Sequence, residues 1–174
     1  HANWVAQQRD GIATMTPTHQ YLVQEGLLHG IEVVNDLTYS DEALQIALDY
    51  NLAIIGTSDI HGLVDWQFGI SEGGHRPVTL ALCQEKSIEA IKEAFFDRRT
   101  IAWFNNTLVG RTEHLLPLIK ACLSVEKASY IGTSQVAEVH IKNDSDVEYI
   151  LLNQSDYTLH ANTDVVVLHP NTTT

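Results

Sequence analysis

The stretch Leu52-Ala53-Ile54-Ile55-Gly56-Thr57-Ser58-Asp59-Ile60-His61 constrains this chain more than any other. An apolar run ends abruptly in a polar cluster. A short apolar run preceded by a helical pattern reads as a buried strand of a parallel sheet. Strand side chains alternate between faces, so Asp59 and His61 are expected to project together, with Ile60 opposite. Barrel and open α/β enzymes place their chemistry at such C-terminal strand ends. A carboxylate oxygen and an imidazole nitrogen are also a donor pair that divalent metal sites use.

The surrounding pattern alternates between strand and helix. Thr18 to Glu25 is a short helical candidate, and Gly30-Ile31-Glu32-Val33-Val34-Asn35 reads as a strand. Ser40 offers an N-cap, with Asp41 and Glu42 favouring the positive end of the helix that follows. Ala43, Leu44, Ala47 and Leu48 recur at helical spacing. Pro77 to Cys83 and Thr100-Ile101-Ala102-Trp103-Phe104 read as strands flanking a helix capped by Ser87, whose Ile88, Ile91 and Phe95 form a stripe. This β-α-β-α order predicts a parallel sheet with helical crossovers. Between these elements, residues 62–76 form a long Gly-rich connection, a length more often functional than idle.

The pattern changes after residue 107. A mixed apolar stretch carries Pro117, which starts or kinks a helix. From Ser134 onward residues alternate, with Val136, Glu138, His140 and Lys142 on one face and Ala137, Val139 and Ile141 on the other. Tyr149-Ile150-Leu151-Leu152 and Val165-Val166-Val167-Leu168 are further strands. The predicted organisation is an α/β domain over residues 1–107, then a linker helix and a small all-β, sandwich-like domain over 108–174.

Charge and composition narrow the function. The net charge is -12, from 22 acidic and 10 basic residues, which argues against phosphate-backbone binding to nucleic acid. A metal would supply the local positive charge needed to handle a phosphorylated small molecule. Cys83 and Cys122 have no zinc-cage or disulfide spacing and read as small buried hydrophobes. No apolar run reaches the ~18 residues of a membrane span. Four Asn-X-Ser/Thr triplets, at Asn105, Asn143, Asn153 and Asn171, are frequent enough by chance to carry little weight. The chain opens on His1-Ala2-Asn3-Trp4, which reads as the interior of a domain; the sequence is therefore expected to be a piece of a longer protein.

His1-Ala2-Asn3-Trp4, Gly30-Ile31-Glu32-Val33-Val34-Asn35 and Gly56-Thr57-Ser58-Asp59-Ile60-His61, in that order, resemble the C-terminal half of the polymerase and histidinol phosphatase (PHP) family of metal-dependent phosphoesterases. The resemblance covers residues 1–107. It implies the C-terminal part of a distorted (β/α)7 barrel, with two or three divalent ions (Zn, Mn or Fe) at the C-terminal strand ends in the complete site. It implies that Asp59 and His61, from the family's Ser-Asp-X-His motif, are catalytic metal ligands, to different ions, and that His1 is a third ligand. His1 is followed by Ala2 where the family has Pro, and the family's early His-X-His and middle ligands have no counterpart here. Gln7-Gln8, Arg76-Pro77-Val78-Thr79-Leu80, Arg99-Thr100 and Trp103 resemble a secreted or periplasmic bacterial phosphodiesterase branch that carries a small C-terminal β-domain.

Other residues have two readings each. Glu32, inside an apolar strand, is either ion-paired with an Arg or supports the site from behind its ligands. His75 and Arg76 either contact the phosphate of a small-molecule ester or sit in a solvated loop. Trp66 and Phe68 either wall a substrate or simply pack. His19 faces the site or begins a helix, with the structural reading preferred. His114, His140, His160 and His169 read as surface residues. The expected function is phosphate-ester hydrolysis by metal-activated water. The rivals are a non-catalytic fragment or binding module lacking a full metal site, and an amidohydrolase-type C–N hydrolase. The oligomeric state is not legible.

Overall fold

In the computed structural model, residues 9–160 and 164–174 are described. The chain divides into two units, the first ending at Leu115 and the second spanning Leu116–Thr174. Among the described residues no helix is long and apolar enough to cross a membrane.

The first unit is built on the strand that the apolar run encodes. Helix α1 (Pro17–Gln24) precedes β1 (Gly30–Asn35), β2 (Thr38–Tyr39), α2 (Asp41–Asp49) and β3 (Ala53–Thr57). β3 pairs parallel with β1, and β2 adds antiparallel on β1's other edge. Ser40 caps α2 as its sequence context predicts, its hydroxyl accepting the Ala43 N–H at 3.1 Å. The negative end of α2 is met by two guanidinium groups. Arg111 donates to the Ala47 carbonyl at 2.9 Å, and Arg98 donates to that of Asn51 at 2.8 Å. Val33, Val34, Ala43, Ala47, Leu52 and Ile54 form the centre of the core.

The remaining strands of this unit correct the barrel expectation. β4 (Val78–Ala81), α4 (Ile88–Phe96), β5 (Thr100–Phe104) and β6 (Thr107–Gly110) follow. β4 pairs antiparallel with β5, and β5 pairs antiparallel with β6. The β-α-β order read as a parallel crossover is thus an antiparallel pair with a helical connection. The described strands form separate two- and three-stranded sheets, order β2-β1-β3 and β4-β5-β6 in this unit, rather than the arc of a (β/α)7 barrel. The β5–β6 step is local: Asn105 and Asn106 both take positive φ (50° and 57°), the two-residue turn that folds β5 directly back as β6.

Between the two sheets, threonine hydroxyls take the place of a backbone ladder. The Ile54 N–H donates to Thr100 Oγ1 at 3.1 Å, and the Gly56 N–H donates to Thr79 Oγ1 at 2.9 Å. The Thr79 hydroxyl donates back to the Gly56 carbonyl at 2.8 Å. Gly56 permits this approach, since a Cβ there would lie 3.0 Å from Ala102 Cβ and 3.1 Å from the Val78 carbonyl oxygen.

Helix α5 (Thr112–Cys122), with Pro117 inside it, leads into the second unit. There β7 (Leu123–Tyr130), β8 (Ala137–Asn143) and β11 (Thr172–Thr173) form one antiparallel sheet in the order β11-β8-β7. β9 (Tyr149–Leu152) and β10 (Val165–Leu168) form a second antiparallel pair. Fully buried Asn143 holds this unit together. Its amide nitrogen donates to the carbonyls of Val147, Leu168 and His169 at 2.7, 3.2 and 3.2 Å, and its oxygen accepts from Ser145. The triplet at Asn143 is therefore committed to structure. Cys83 and Cys122 are half-buried free thiols rather than fully buried ones.

Thr100 is fully buried, so Thr100→Val keeps its shape while stranding the Ile54 N–H. The expected loss is about 1–3 kcal/mol of stability. Urea denaturation followed by tryptophan fluorescence reads it, since Trp66 and Trp103 lie in the first unit.

Candidate functional site

The C-terminal ends of β1 and β3 carry a polar cluster. The strands are in register at Asn35 and Thr57, with a bulge between Glu32 and Val34. The Thr57 hydroxyl donates to Glu32 Oε1 through a short hydrogen bond. The Asn35 amide donates to the same oxygen at 3.1 Å and to Thr57 Oγ1 at 3.3 Å. Burial pushes the Glu32 carboxyl up, while hydrogen bonds from Thr57 and Asn35 are among the interactions that lower it, and the net position is below its ordinary value. Of its two sequence readings, the structure gives Glu32 a hydroxyl–amide network across the ends of the parallel pair.

Asp59 and His61 follow this cluster, but not on a strand. β3 ends at Thr57, and Asp59 takes a left-handed backbone with φ 41°. The pleat that would have aimed both side chains to one face is absent. The turn brings them together instead, with His61 Nε2 3.4 Å from Asp59 Oδ1. The imidazole is 83% exposed and the carboxylate 36%.

Two donors held at about 2.0–2.1 Å by a tetrahedral zinc are themselves about 3.4 Å apart. The 3.4 Å separation of this pair matches that spacing. Structural zinc sites use four protein ligands and catalytic ones three. Among the described residues no group of three or more His, Cys, Asp or Glu side chains comes together in a way that could hold a metal. The third expected ligand, His1, lies outside the described residues. The described donors fit one edge of a metal site and do not by themselves hold an ion.

The 62–76 connection contains α3 (Val64–Gln67) and a 3-10 turn (Ile70–Glu72). Its two aromatic residues divide, with Phe68 buried and Trp66 84% exposed. Gln67 reaches back to the β1–β2 turn, donating to Asp36 Oδ1 at 3.2 Å. Gly74 is obligatory, because a Cβ there would lie 2.0 Å from the Phe68 carbonyl oxygen. This connection, with Leu37 and the β5–β6 turn, borders a half-open cavity of about 240 Å³.

His75 forms part of that cavity's wall. Its ring stacks on Trp103, with centroids 4.1 Å apart and planes at 25°. The Asn106 N–H donates to Nε2 at 3.2 Å, which leaves Nδ1 to carry the proton facing the Arg76 carbonyl at 3.1 Å. Both ring nitrogens are thus engaged by the protein. Arg76 is exposed, one residue beyond the cavity lining.

The remaining histidines serve the fold or the surface. His19 closes a capping box with Thr16 at the start of α1, which is the structural role preferred for it. His140 lies 3.4 Å from Glu138, and His169 lies 2.9 Å from Glu148, both at the surface. Gln67 and Asn106 carry no motif, and Asn105 stands out in the sequence only as an Asn-X-Ser/Thr triplet. The Asn-Asn pair between two β-rich runs was the available hairpin signal.

Comparison with known proteins gives two findings. A family model described as an Ig-like domain matches residues 123–174. With the antiparallel pairing seen throughout the second unit, it supports a small C-terminal β-domain and weighs further against reading the chain as a barrel fragment. The second is a crystal structure from Bacteroides vulgatus ATCC 8482, described as a two-domain protein containing a predicted PHP-like metal-dependent phosphoesterase. It is similar at 37% identity and a TM-score of 0.89, over 100% of this chain and 50% of that one. The chain thus spans half the length of this structural neighbour. Comparison with curated proteins returns no match.

The Glu32 network makes a prediction about acid stability. A carboxyl held below its unfolded value contributes stability above that value and loses it as pH falls through the folded one. Thr57→Val removes the first-named donor. The variant is expected to lose about 1 kcal/mol at pH 7 and to lie closer to the parent at acid pH, once the pH has fallen through the lowered folded-state value and the carboxyl is protonated in both. Urea denaturation at the two pH values reads the difference. An equal loss at both would separate Thr57 from the Glu32 charge.

Proposed function

We propose that this chain is a non-catalytic module of a PHP-like phosphoesterase, presenting Asp59 and His61 as an incomplete metal half-site. The observation that carries this reading is the donor count. One carboxylate and one imidazole stand 3.4 Å apart, and no group of three metal-ligating side chains exists among the described residues. Two donors leave a divalent ion largely in the hands of water, with too few bonds to retain it.

The similarity to the Bacteroides vulgatus structure supports a second, finer reading. In a longer protein, Asp59 and His61 would contribute to a centre completed by further ligands, His1 among them. Two or three Zn, Mn or Fe ions there would activate water against a small phosphate ester. That protein would be a secreted or periplasmic bacterial hydrolase.

Metal analysis and turnover test both readings. The purified chain, incubated with Zn or Mn and then dialysed, is expected to retain less than one ion per chain by elemental analysis. It should not hydrolyse bis(p-nitrophenyl) phosphate above the metal-only rate. Two retained ions with hydrolysis abolished by Asp59→Asn would overturn the non-catalytic reading. In a longer protein that does turn over, Asp59→Asn should remove nearly all activity; full activity in that variant would sink the ligand assignment.

A further inference from the structure

We propose that the cavity behind His75 is a binding site for a small, uncharged, hydroxyl-rich molecule of single-ring size, such as a monosaccharide or cyclic polyol. This goes beyond the metal half-site and does not depend on it. Three segments that are distant in sequence converge on the cavity, from Leu37, the 67–75 connection and the β5–β6 turn. Each is set by left-handed backbone: Asp36 at φ 49°, Gly73 at 86°, Asn105 at 50° and Asn106 at 57°. These turns are further tied by the Gln67–Asp36 and Asn106–His75 hydrogen bonds. The walls are therefore in place before a ligand arrives, which lowers the entropy lost on binding.

The lining chemistry selects the ligand class. The lining includes no Asp, Glu, Lys or Arg. The His75 ring is already engaged, its Nε2 accepting the Asn106 N–H and its face stacking on Trp103. A phosphate or carboxylate would find no counter-charge there, in a chain that is already at -12 overall. What the cavity offers is carboxamide. Asn105 and Asn106, both solvent-exposed at the rim, each carry a donor amide and an acceptor oxygen, and neither side chain spends them on another described residue. Gln67 spends one amide hydrogen on Asp36 and keeps its carbonyl oxygen. A hydroxyl is likewise both donor and acceptor, so a polyol satisfies carboxamides that a purely apolar or purely anionic ligand does not. Leu37 and Phe68 supply the apolar part of the lining. The volume, about 240 Å³, is below the roughly 300 Å³ at which sites for drug-sized ligands begin, which limits the occupant to one ring.

The test uses the whole chain in metal-free buffer containing EDTA. The probes are methyl α-glucopyranoside, myo-inositol, glycerol and inorganic phosphate, titrated by nitrogen–proton correlation NMR. At least one ring polyol is expected to bind saturably, with an affinity on the order of millimolar, and to shift the side-chain amide signals of Asn105 and Asn106. Replacing both by Gly keeps the left-handed turn available and removes the carboxamides; binding should fall about tenfold. Asp59→Asn should leave it unchanged, so failure of the metal half-site and failure of this site are told apart. Absence of saturable binding by every neutral probe would overturn the proposal. So would shifts confined to other residues, undiminished binding in the double-Gly variant, or preferential binding of phosphate at these amides.

Discussion

The first unit depends on how closely β3 approaches the β4–β5 pair. A strand with one edge on β1 must satisfy its other edge elsewhere, because a buried N–H left unpaired is costly. Thr100 and Thr79 do this with hydroxyls, and Gly56 supplies the missing Cβ that lets the strands come close enough. The core residues Ile54 and Ala102, from β3 and β5, lie in the same buried cluster. From this seam the chain emerges at Thr57, and everything polar near Asp59 is positioned by where that seam ends.

The same strand end gathers two kinds of chemistry. On the strand side, Thr57 and Asn35 share Glu32 in a network that stabilises its ionised form. On the turn side, Asp59 and His61 stand 3.4 Å apart, the imidazole mostly in solvent and the carboxylate partly so. Solvent exposure weakens what two donors alone can do, since water competes for each ligand position.

Local signals were read well where they were local in origin. β1, β5, β9 and β10 span the residues that β-branched runs mark, and Ser40 and Ser87 cap the helices that they precede. The handedness of the Asn105-Asn106 turn, the pairing partner of β4 and the role of β11 were not legible. The terminal Thr172-Thr173 pair looks like a polar tail, yet it pairs with Asn143 and Lys142 of β8. His75 invited a phosphate-contact reading because a histidine next to an arginine ends a long loop. Its ring is committed instead to Trp103 and Asn106, which lie about thirty residues away.

By itself, then, the sequence determined the elements and the motif. Its apolar run made a buried strand, its serine caps made helices begin where they do, and its Ser58-Asp59-Ile60-His61 placed two metal-type donors near each other. Tertiary structure decided the rest. It made the β4–β5 pairing antiparallel, ended β3 at Thr57 and brought Asp59 to His61 by a left-handed turn rather than a pleat. The physical reason is that periodicity reports which face of an element is buried. The direction of its neighbour depends on hydrogen bonds made by residues far apart in the chain.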